Sequence, residues 1–374
     1  MKANYTLNDA CFIKTGKLDA NAVVENGKYP FYTCAAEPTT IDYFEYDDSV
    51  ILIAGNNAQG NFHINRFTGK FNAYQRTYIL TEKEGFDLDY IYYALKLELK
   101  RLKEKSQGSQ TKFLTMPILT NIMLGNRSLI EQQKIASVLS SLDKKIELNN
   151  KINKELEAMA KTLYDYWFVQ FDFPDENGKP YKSSGGKMEY KDELKREIPQ
   201  GWDVKELGEY AEIKRGNLIT EKDAGVGDIK VVAAGLDYSY LHSKSNRKKN
   251  TITVSGSGAN AGHINFWREP IFASDCTTVR GHNDVTTIMI WQYLTLHQEH
   301  LYSQAKGSAQ PHVYPNDIKN LYFPIVPNSL VKNFEKIVLP INKKIASNQQ
   351  ENNELIKLRD WLLPMLMNGQ VKVQ

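Results

Sequence analysis

The sequence contains few cysteines, no long apolar run and no signal core. Its 374 residues include three cysteines, Cys11, Cys34 and Cys276, which are scattered and lack the spacing of a metal site. We therefore expect reduced thiols in a cytoplasmic protein. No run of about 18 apolar residues is present, so no membrane span is expected. The N-terminal residues lead into no apolar signal segment, so secretion is not expected either.

Charges of the two signs nearly cancel. The formal net charge is +3, and charged residues make up 24% of the chain, which is ordinary for a soluble globular protein. Bulk charge therefore gives no argument for nucleic-acid binding. If the chain touches phosphates, it must do so through local basic patches.

What the sequence does have is an internal repeat with a period of about 200 residues. Three short matches occur in the same order: residues 63–65 (HIN) and 263–265, residues 108–109 (GS) and 307–308, and residues 144–146 (KKI) and 343–345. A two-copy repeat this long predicts two similar domains rather than a solenoid. A pseudo-two-fold chain of this design suits a partner that is itself nearly two-fold, and duplex DNA is such a partner.

Each copy begins with a part that reads as mixed α/β. Residues 49–54 form a short apolar run that ends at a glycine, which predicts a buried strand followed by a turn. Residues 77–80 and 251–254 are further strand candidates. Over residues 89–102, apolar side chains recur on one helical face, which predicts a helix.

Each copy ends in a long heptad pattern, which predicts two long helices that pack on each other as a coiled coil. The expected seam residues are Ile135, Leu142, Asn149, Leu156 and Leu163 in the first copy, and Ile341, Asn348, Leu355 and Leu362 in the second. Asn149 and Asn348 share one heptad position. Two interpretations stay open: a buried asparagine pair that sets the register, or two exposed side chains.

These patterns divide the chain into five segments: a first globular domain over 1–125, a spacer helix over 126–172, a linker over 173–201, a second globular domain over 202–326 and a C-terminal spacer helix over 327–374. The linker is rich in Pro, Gly, Ser and Lys. It is expected to carry at most a short charged helix over 191–197.

Several motifs carry a family resemblance. They are residues 128–136 (SLIEQQKIA), 142–146 (LDKKI), 167–174 (WFVQFDFP), 178–182 (GKPYK), 198–202 (IPQGW) and 362–371 (LLPMLMNGQV). With these motifs the chain resembles, over nearly its whole length, the specificity subunit of a type I restriction-modification enzyme. The second copy departs from the family pattern, because residues 329–334 lack a counterpart of the Glu131 and Gln132 pair.

This resemblance implies two target-recognition domains held apart by two antiparallel helices. Each domain would read one half of a split sequence in double-stranded DNA, and the helices would set the gap. The subunit would have no catalytic site, cofactor or metal of its own. It would assemble with two methyltransferase subunits, which bind S-adenosylmethionine and methylate adenine, and with restriction subunits, which use ATP and Mg.

DNA-binding residues are expected on loops and strand ends of the two globular domains, because base edges require hydrogen-bonding side chains on a rigid support. The candidates are Lys14, Gln59, Asn61, Gln107, Ser109, Gln110 and Lys112 in the first copy, and Lys214, Arg215, Asn260, Lys306, Ser308, Gln310 and His312 in the second. Lysine, arginine and the Gly-Ser loops suit phosphate, whereas Gln110, Gln310 and His312 suit bases. The paired His63 and His263 are interpreted as structural, since domains that read different half-sites should agree where they fold.

Two other classes of protein compete with this interpretation. Asp175, Glu193 and Lys195 imitate the motif of a metal-dependent nuclease, but they lie in the linker with no strand pair to bring them together. Residues 256–261 imitate a dinucleotide fingerprint, but a strand rather than a helix is expected to follow. The other rival is a helical scaffold protein without sequence preference for DNA.

The aromatic residues Tyr164, Trp167, Phe168 and Trp361 have two possible roles. They could form a docking surface for methyltransferase subunits, or they could be part of the core between domain and helix. The pair His297 and His300 lies on one helical face but lacks a third metal ligand, which favours a surface or core role.

Overall fold

The computed structural model describes residues 4–56, 62–105, 113–305 and 311–373. The chain forms two compact units, Met1–Leu148 with Glu351–Gln374, and Asn149–Gln350. We call them unit 1 and unit 2. The boundary crosses both long helices, so each unit contains one globular lobe and a part of each helix. Among the described residues, none of the helices has the length and apolarity needed to cross a membrane.

The lobe of unit 1 is a six-stranded sheet with helices. The strands of unit 1 are β1 Tyr5–Thr6, β2 Cys11–Thr15, β3 Tyr29–Tyr32, β4 Thr39–Ile41, β5 Tyr46–Ala54, β6 Ile64–Ala73, β7 Thr77–Glu82 and β8 Met123–Gly125. The sheet has the order β2-β7-β5-β6-β3-β4, and β1 pairs with β8. Only the β3–β6 pair is parallel. The apolar run at the end of β5 is fully buried, as predicted, because the strand lies inside the sheet.

The helices of unit 1 cover this sheet. They are α1 Leu7–Ala10, α2 Leu88–Lys105, α3 Met116–Thr120 and the first part of α4 Leu129–Tyr164. The predicted helix over 89–102 is confirmed by α2. Its apolar face packs into the lobe core, where Ile91, Leu95 and Leu99 are at most 5% exposed.

The lobe of unit 2 repeats this arrangement. The strands of unit 2 are β9 Met188–Lys191, β10 Arg196–Pro199, β11 Asp203–Glu206, β12 Glu212–Arg215, β13 Ile229–Val232, β14 Tyr240–His242, β15 Thr251–Ser255, β16 Ile264–Trp267, β17 Phe272–Ala273, β18 Cys276–Arg280 and β19 Tyr322–Ile325. The helices of unit 2 are α5 Leu207–Tyr210, α6 Asp284–Leu296, α7 Gln298–Ala305, α8 Pro315–Lys319 and most of α9 Asn328–Met367. The strand orders β12-β18-β15-β16 and β14-β13-β17 reproduce that of unit 1.

The internal repeat is thus confirmed as two lobes of the same mixed α/β fold. The two lobes differ in one strand of the sheet. The long strand β6 of unit 1 corresponds to two shorter strands, β16 and β17, with Pro270 between them. Proline has no N–H to donate to a neighbouring strand, so the pairing is interrupted there.

The linker does not contain the expected charged helix over 191–197. The segment instead forms an antiparallel hairpin, in which β9 pairs with β10 from Met188 to Pro199. Lys195 at the turn has a φ of 52°. That left-handed conformation ends a helix rather than continuing one. The charge pattern favoured a helix, but the turn geometry and strand pairing determined the outcome.

The two long helices pack antiparallel within each unit. In unit 1, Ile135 and Leu139 of α4 share a core cluster with Leu363 and Leu366 of α9. In unit 2, the end of α4 packs on the beginning of α9, with Tyr164 against Phe334. Helix α4 has 36 residues and α9 has 40, which correspond to about 54 and 60 Å at 1.5 Å per residue. The seam residues predicted from the heptads are buried or half-buried along both helices.

The asparagines of the seam are buried, so the interpretation as exposed side chains is wrong. Asn149 and Asn348 are each 1% exposed. Asn348 donates from Nδ2 to Oδ1 of Asn153, one helical turn along α4 from Asn149, at 2.9 Å. An amide pair in this place costs stability relative to an apolar pair, but it selects one register of the helices.

Each lobe is tied to both helices by one polar side chain. In unit 1, Asp143 of α4 accepts hydrogen bonds from the Tyr93 hydroxyl of α2, at 2.8 Å, and from Arg359 of α9, at 2.7 Å. In unit 2, the buried Arg268 lies 3.0 Å from Glu157 of α4 and donates to Asn342 of α9 at 2.8 Å. Because the groups are partnered, these buried polar contacts orient each lobe on its helix pair.

The pair Glu131 and Gln132 has a structural role at the start of α4. The Ser128 backbone and hydroxyl donate to Glu131 Oε2 at 3.0 and 2.9 Å, which caps the helix. Gln132 is 1% exposed; it accepts from the Asp87 N–H at 2.9 Å and donates to the Arg127 carbonyl at 3.0 Å. The motif therefore holds the helix to its own lobe.

Candidate nucleic-acid interface

Five of the predicted DNA-binding residues lie in the described part of the chain: Lys14, Lys214, Arg215, Asn260 and His312. The other nine lie outside the described residues: Gln59, Asn61, Gln107, Ser109, Gln110, Lys112, Lys306, Ser308 and Gln310. The geometry of the interface is therefore built from the first five and from their neighbours.

In unit 2, a polar network forms where three segments meet. Asp275, just before β18, accepts from Arg215 Nη2 at 3.2 Å through one carboxylate oxygen and from the Ser257 hydroxyl at 2.6 Å through the other. Ser257 also forms an antiparallel backbone bridge with His312. The His312 ring stacks on Tyr314, with centroids 5.8 Å apart and planes at 22°. Arg215 and His312, far apart in sequence, are thereby brought to one surface through Asp275 and Ser257.

Lys214 and Asn260 flank this network. Lys214 is exposed on β12 and forms an ion pair with Glu212 on the same strand. Asn260 ends the short 3-10 turn Gly258–Asn260, which follows the bridge residue Ser257. Its carbonyl accepts the His263 N–H at 2.9 Å, so the turn is held by the backbone.

Unit 1 has a corresponding surface with different side chains. Asn56 forms an antiparallel backbone bridge with Phe113, whose side chain is 52% exposed. The bridge borders a surface cavity of about 440 Å³, whose lining residues include Thr15, Gln75, Arg76, Phe113 and Met116. Lys14 is exposed on β2, the strand that corresponds to β12, and its ammonium lies 4.7 Å from the centre of the Tyr46 ring.

The described backbone next to the two bridges makes corresponding hydrogen bonds. Gly55 accepts from the Leu114 N–H at 3.0 Å, and Gly256 accepts from the Val313 N–H at 3.1 Å. The strands that carry Lys14 and Lys214 are each followed by a glycine. A Cβ on Gly16 would lie 2.2 Å from the Ala73 carbonyl oxygen, and one on Gly216 would lie 2.0 Å from that of Ser274. Only glycine permits this close approach of two backbones.

The side chains at the corresponding surface positions differ in chemistry. Shifts of 199 to 201 positions pair Thr15 with Arg215, Asn56 with Ser257, Arg76 with Asp275 and Phe113 with His312. Core positions paired by the same shifts keep their identity, as Leu7 with Leu207, Ile13 with Ile213 and Ala73 with Ala273. The two lobes thus agree where they fold and differ on this surface.

Comparison of the two copies of the repeat did not identify four residues of this surface: Arg76, Phe113, Ser257 and Asp275. Arg76 and Asp275 have opposite charges at one backbone position, and Phe113 is apolar, so a search for shared polar residues passes over them. The repeat shift of 199 positions pairs His312 with Phe113, so the sequence does contain a signal for Phe113.

Comparisons with known proteins determine the family. The sequence model described as "Type I restriction modification DNA specificity domain" matches the chain twice, over residues 2–158 and 199–357. The chain belongs to this family. It is a specificity subunit, a non-catalytic component that recognises DNA sequence in a type I restriction-modification system.

Two curated relatives and one solved structure are similar to this specificity subunit. The type I restriction enzyme MjaIX specificity subunit of Methanocaldococcus jannaschii is 29% identical over 316 residues, which cover 78% of this chain and 71% of the relative. The EcoDI specificity subunit of Escherichia coli is 31% identical over 218 residues, 55% of this chain and 48% of the relative. The crystal structure of a type I S subunit from M. genitalium has the same fold, with a TM-score of 0.60, 19% identity and coverage of 97% and 95% of the two chains.

The residues that imitate a nuclease motif have structural contacts in the specificity subunit. Asp175 uses Oδ1 to accept from the N–H groups of Asn177 and Lys179, both at 2.8 Å, and so closes a turn. Glu193 and Lys195 lie in the β9–β10 hairpin. Among the described residues, no group of three His, Cys, Asp or Glu side chains could hold a metal ion. His297, one of the two histidines predicted on one helical face, packs on the Tyr293 ring.

The strand β16 confirms that residues 256–261 are not a dinucleotide fingerprint, since a strand follows them. The ring of His263 lies 3.1 Å from the Tyr302 hydroxyl inside the lobe, in agreement with a structural role.

Three titratable groups on the strands next to the interface have shifted pKa values: the thiols of Cys276 and Cys11 and the carboxyl of Glu212. Burial raises the pKa of the Cys276 thiol, next to Asp275, to about 12, and burial raises that of Cys11 to about 12 as well. Both thiols are therefore protonated and unreactive at neutral pH. The hydrogen bond from Lys214 lowers the pKa of the Glu212 carboxyl, so this carboxylate is ionised at neutral pH.

Three of the four aromatic residues considered for docking are core residues. Tyr164, Trp167 and Phe168 are at most 5% exposed and pack in the core of unit 2. The docking interpretation is wrong for them, because the helix end buries them against α9 and the lobe. Trp361, in unit 1, is 56% exposed.

Proposed function

We propose that this specificity subunit reads a bipartite site in double-stranded DNA, one half-site with each lobe, and that the length of its helix pair sets the gap between the half-sites. The observation that carries the proposal is the contrast between the lobes. The described backbone next to the two bridges makes corresponding hydrogen bonds, whereas the side chains on that surface differ. Two copies of one fold that read different sequences need this combination.

The interface contains groups that suit phosphate contacts and groups that suit base contacts. Lys14 and Lys214 are exposed at corresponding strand positions, as required for phosphate contacts that do not depend on sequence. His312, Arg215 and Asn260 offer hydrogen-bonding groups for base edges, where sequence is read. The predicted loop residues that lie outside the described part of the chain follow Asn56 or precede Phe113 and His312, and they are part of the same proposal.

Membership of the family supports a proposal about partners and cofactors. We propose that the chain works in the cytoplasm with two methyltransferase subunits and with restriction subunits. S-adenosylmethionine, ATP and Mg would be bound by those partners and not by this chain. An exposed Trp361 on α9 is available for such a contact in unit 1.

The test is to select bound sequences from random duplexes with this chain and its own methyltransferase subunits. We expect recovery of a split motif with two defined half-sites and a gap of constant length. The same experiment supplies the bases and the gap. A helical scaffold without sequence preference would enrich no motif, and that result would refute the proposal.

Replacing Lys214 with Ala is expected to weaken binding to all sequences equally, because a phosphate contact does not discriminate between bases. The slope of log K against log salt should fall in magnitude by about 1. Fluorescence anisotropy at several salt concentrations measures this. The control is Lys182→Ala, an exposed lysine in the linker, which should leave the slope unchanged. A change of sequence preference in Lys214→Ala would show that this lysine reads bases.

A further inference from the structure

The two bridge residues Phe113 and His312 occupy one backbone position in two copies of the same fold. Each forms an antiparallel backbone bridge with a residue that follows a glycine: Phe113 with Asn56, after Gly55, and His312 with Ser257, after Gly256. The next residue in each chain segment, Leu114 or Val313, donates its N–H to the carbonyl oxygen of that glycine. The position is thus held by the backbone bridge and by the hydrogen bond of the residue that follows it, and its side chain can differ without disturbing these contacts.

Phe113 is a large apolar side chain on an exposed surface. It is 52% exposed, and Met116, at 36%, lies on the same cavity. The cavity also contains Arg76, which is exposed. Exposure of an aromatic ring to water is unfavourable by about 25 cal/mol per Å² of apolar surface, so a ring kept at this position suits contact with a partner.

His312 presents the opposite chemistry at the same position. Its ring stacks on Tyr314, and its bridge partner Ser257 donates to Asp275 at 2.6 Å. Arg215 donates to the same carboxylate at 3.2 Å. Unit 2 therefore offers a hydrogen-bonding ring next to a polar network, whereas unit 1 offers an apolar ring next to a cationic side chain.

We infer that the bridge position is a specificity-determining position of both lobes, and that it sets the base preference at one place in each half-site. Phe113 contacts the 5-methyl group of thymine in the major groove, because apolar side chains recognise that group. His312 hydrogen-bonds a purine edge, where N7 is an acceptor. The inference rests on the proposed function and adds the residues that distinguish one half-site from the other.

The test uses the full chain with its methyltransferase subunits and two exchanges, Phe113→His and His312→Phe. Selection from random duplexes should show a changed preference at one base pair, in a different half-site for each variant, with an effect of about tenfold or more at that pair. The other half-site and the gap should be unchanged. Phe113→Leu and His312→Gln, which keep the apolar and the hydrogen-bonding character, should retain the original preference.

The control in the same lobe is Phe12→His, since Phe12 is 63% exposed on β2 outside the bridge. The Phe12→His variant should recover the same DNA motif as the wild type. Circular dichroism of each variant verifies that the fold is retained. If the wild type gives a split motif but both exchanges give that same motif, with or without a uniform loss of affinity, the inference is overturned while the proposed function stands. If the wild type gives no motif, both are overturned.

Discussion

Inserting one heptad into each long helix, after Leu148 and after Gln350, is expected to lengthen the gap of the recognised site by about three base pairs and to leave both half-sites unchanged. These insertion points are the boundary of the two units, so contacts within each unit are kept. Seven residues add about 10 Å of helix, and the rise of DNA is about 3.4 Å per base pair. A whole heptad returns the seam residues to the same face of each helix.

Sequencing of methylated sites in a strain that carries the double insertion measures the gap. The matched control is the insertion after Leu148 alone. Within each unit the helices are held in register by specific contacts, among them Asp143 with Arg359 and Asn153 with Asn348. A heptad in one helix only cannot preserve both contacts, so methylation should be lost. An altered half-site in the double insertion would contradict the division of tasks between lobes and helices.

Replacing Phe334 with Ala is expected to reduce the free energy of unfolding of unit 2 by about 3–5 kcal/mol. Phe334 is 0% exposed, and its ring centre lies 5.0 Å from that of Phe168 and 5.8 Å from that of Trp167. Truncation removes the aromatic contacts between α9 and the end of α4 and leaves a cavity that neighbouring rings cannot fill without leaving their rotamers.

Urea denaturation, followed by far-UV circular dichroism and tryptophan fluorescence, measures this loss. Ile337→Ala, one turn further along α9 at 44% exposure, is the control and should cost less than about 1 kcal/mol. If both variants unfolded at the same urea concentration, this cluster would not be the main contact between the helices in unit 2.

Several predictions from the sequence were confirmed because they depend on local pattern. The helix α2 and the two long helices show a helical period of apolar residues, and the apolar run in β5 is short and ends at a glycine, which favours a strand. The repeat itself required no structural knowledge, since matched segments at a shift of about 200 predict matched folds. The wrong prediction for 191–197 arose because a charge pattern is compatible with either a helix or a hairpin.

Predictions about side-chain partners were less successful. Aromatic residues left over from the heptad seam were ambiguous, and the structure shows Tyr164, Trp167 and Phe168 in the core because the lobe covers the helix end. The seam asparagine Asn348 hydrogen-bonds Asn153, a position that the seven-residue pattern did not select. The exact stagger of two helices depends on packing along their whole length.

The sequence by itself determined the duplication, the mixed α/β lobes, the long helices and, through its motifs, the family, because these depend on residues within a few turns of one another or on direct similarity. Only the tertiary structure decided that Phe113 faces Asn56 and that His312 faces Ser257 and the Asp275 network. Those contacts join segments about 55 positions apart, and such segments meet only after the sheet and its helices have packed.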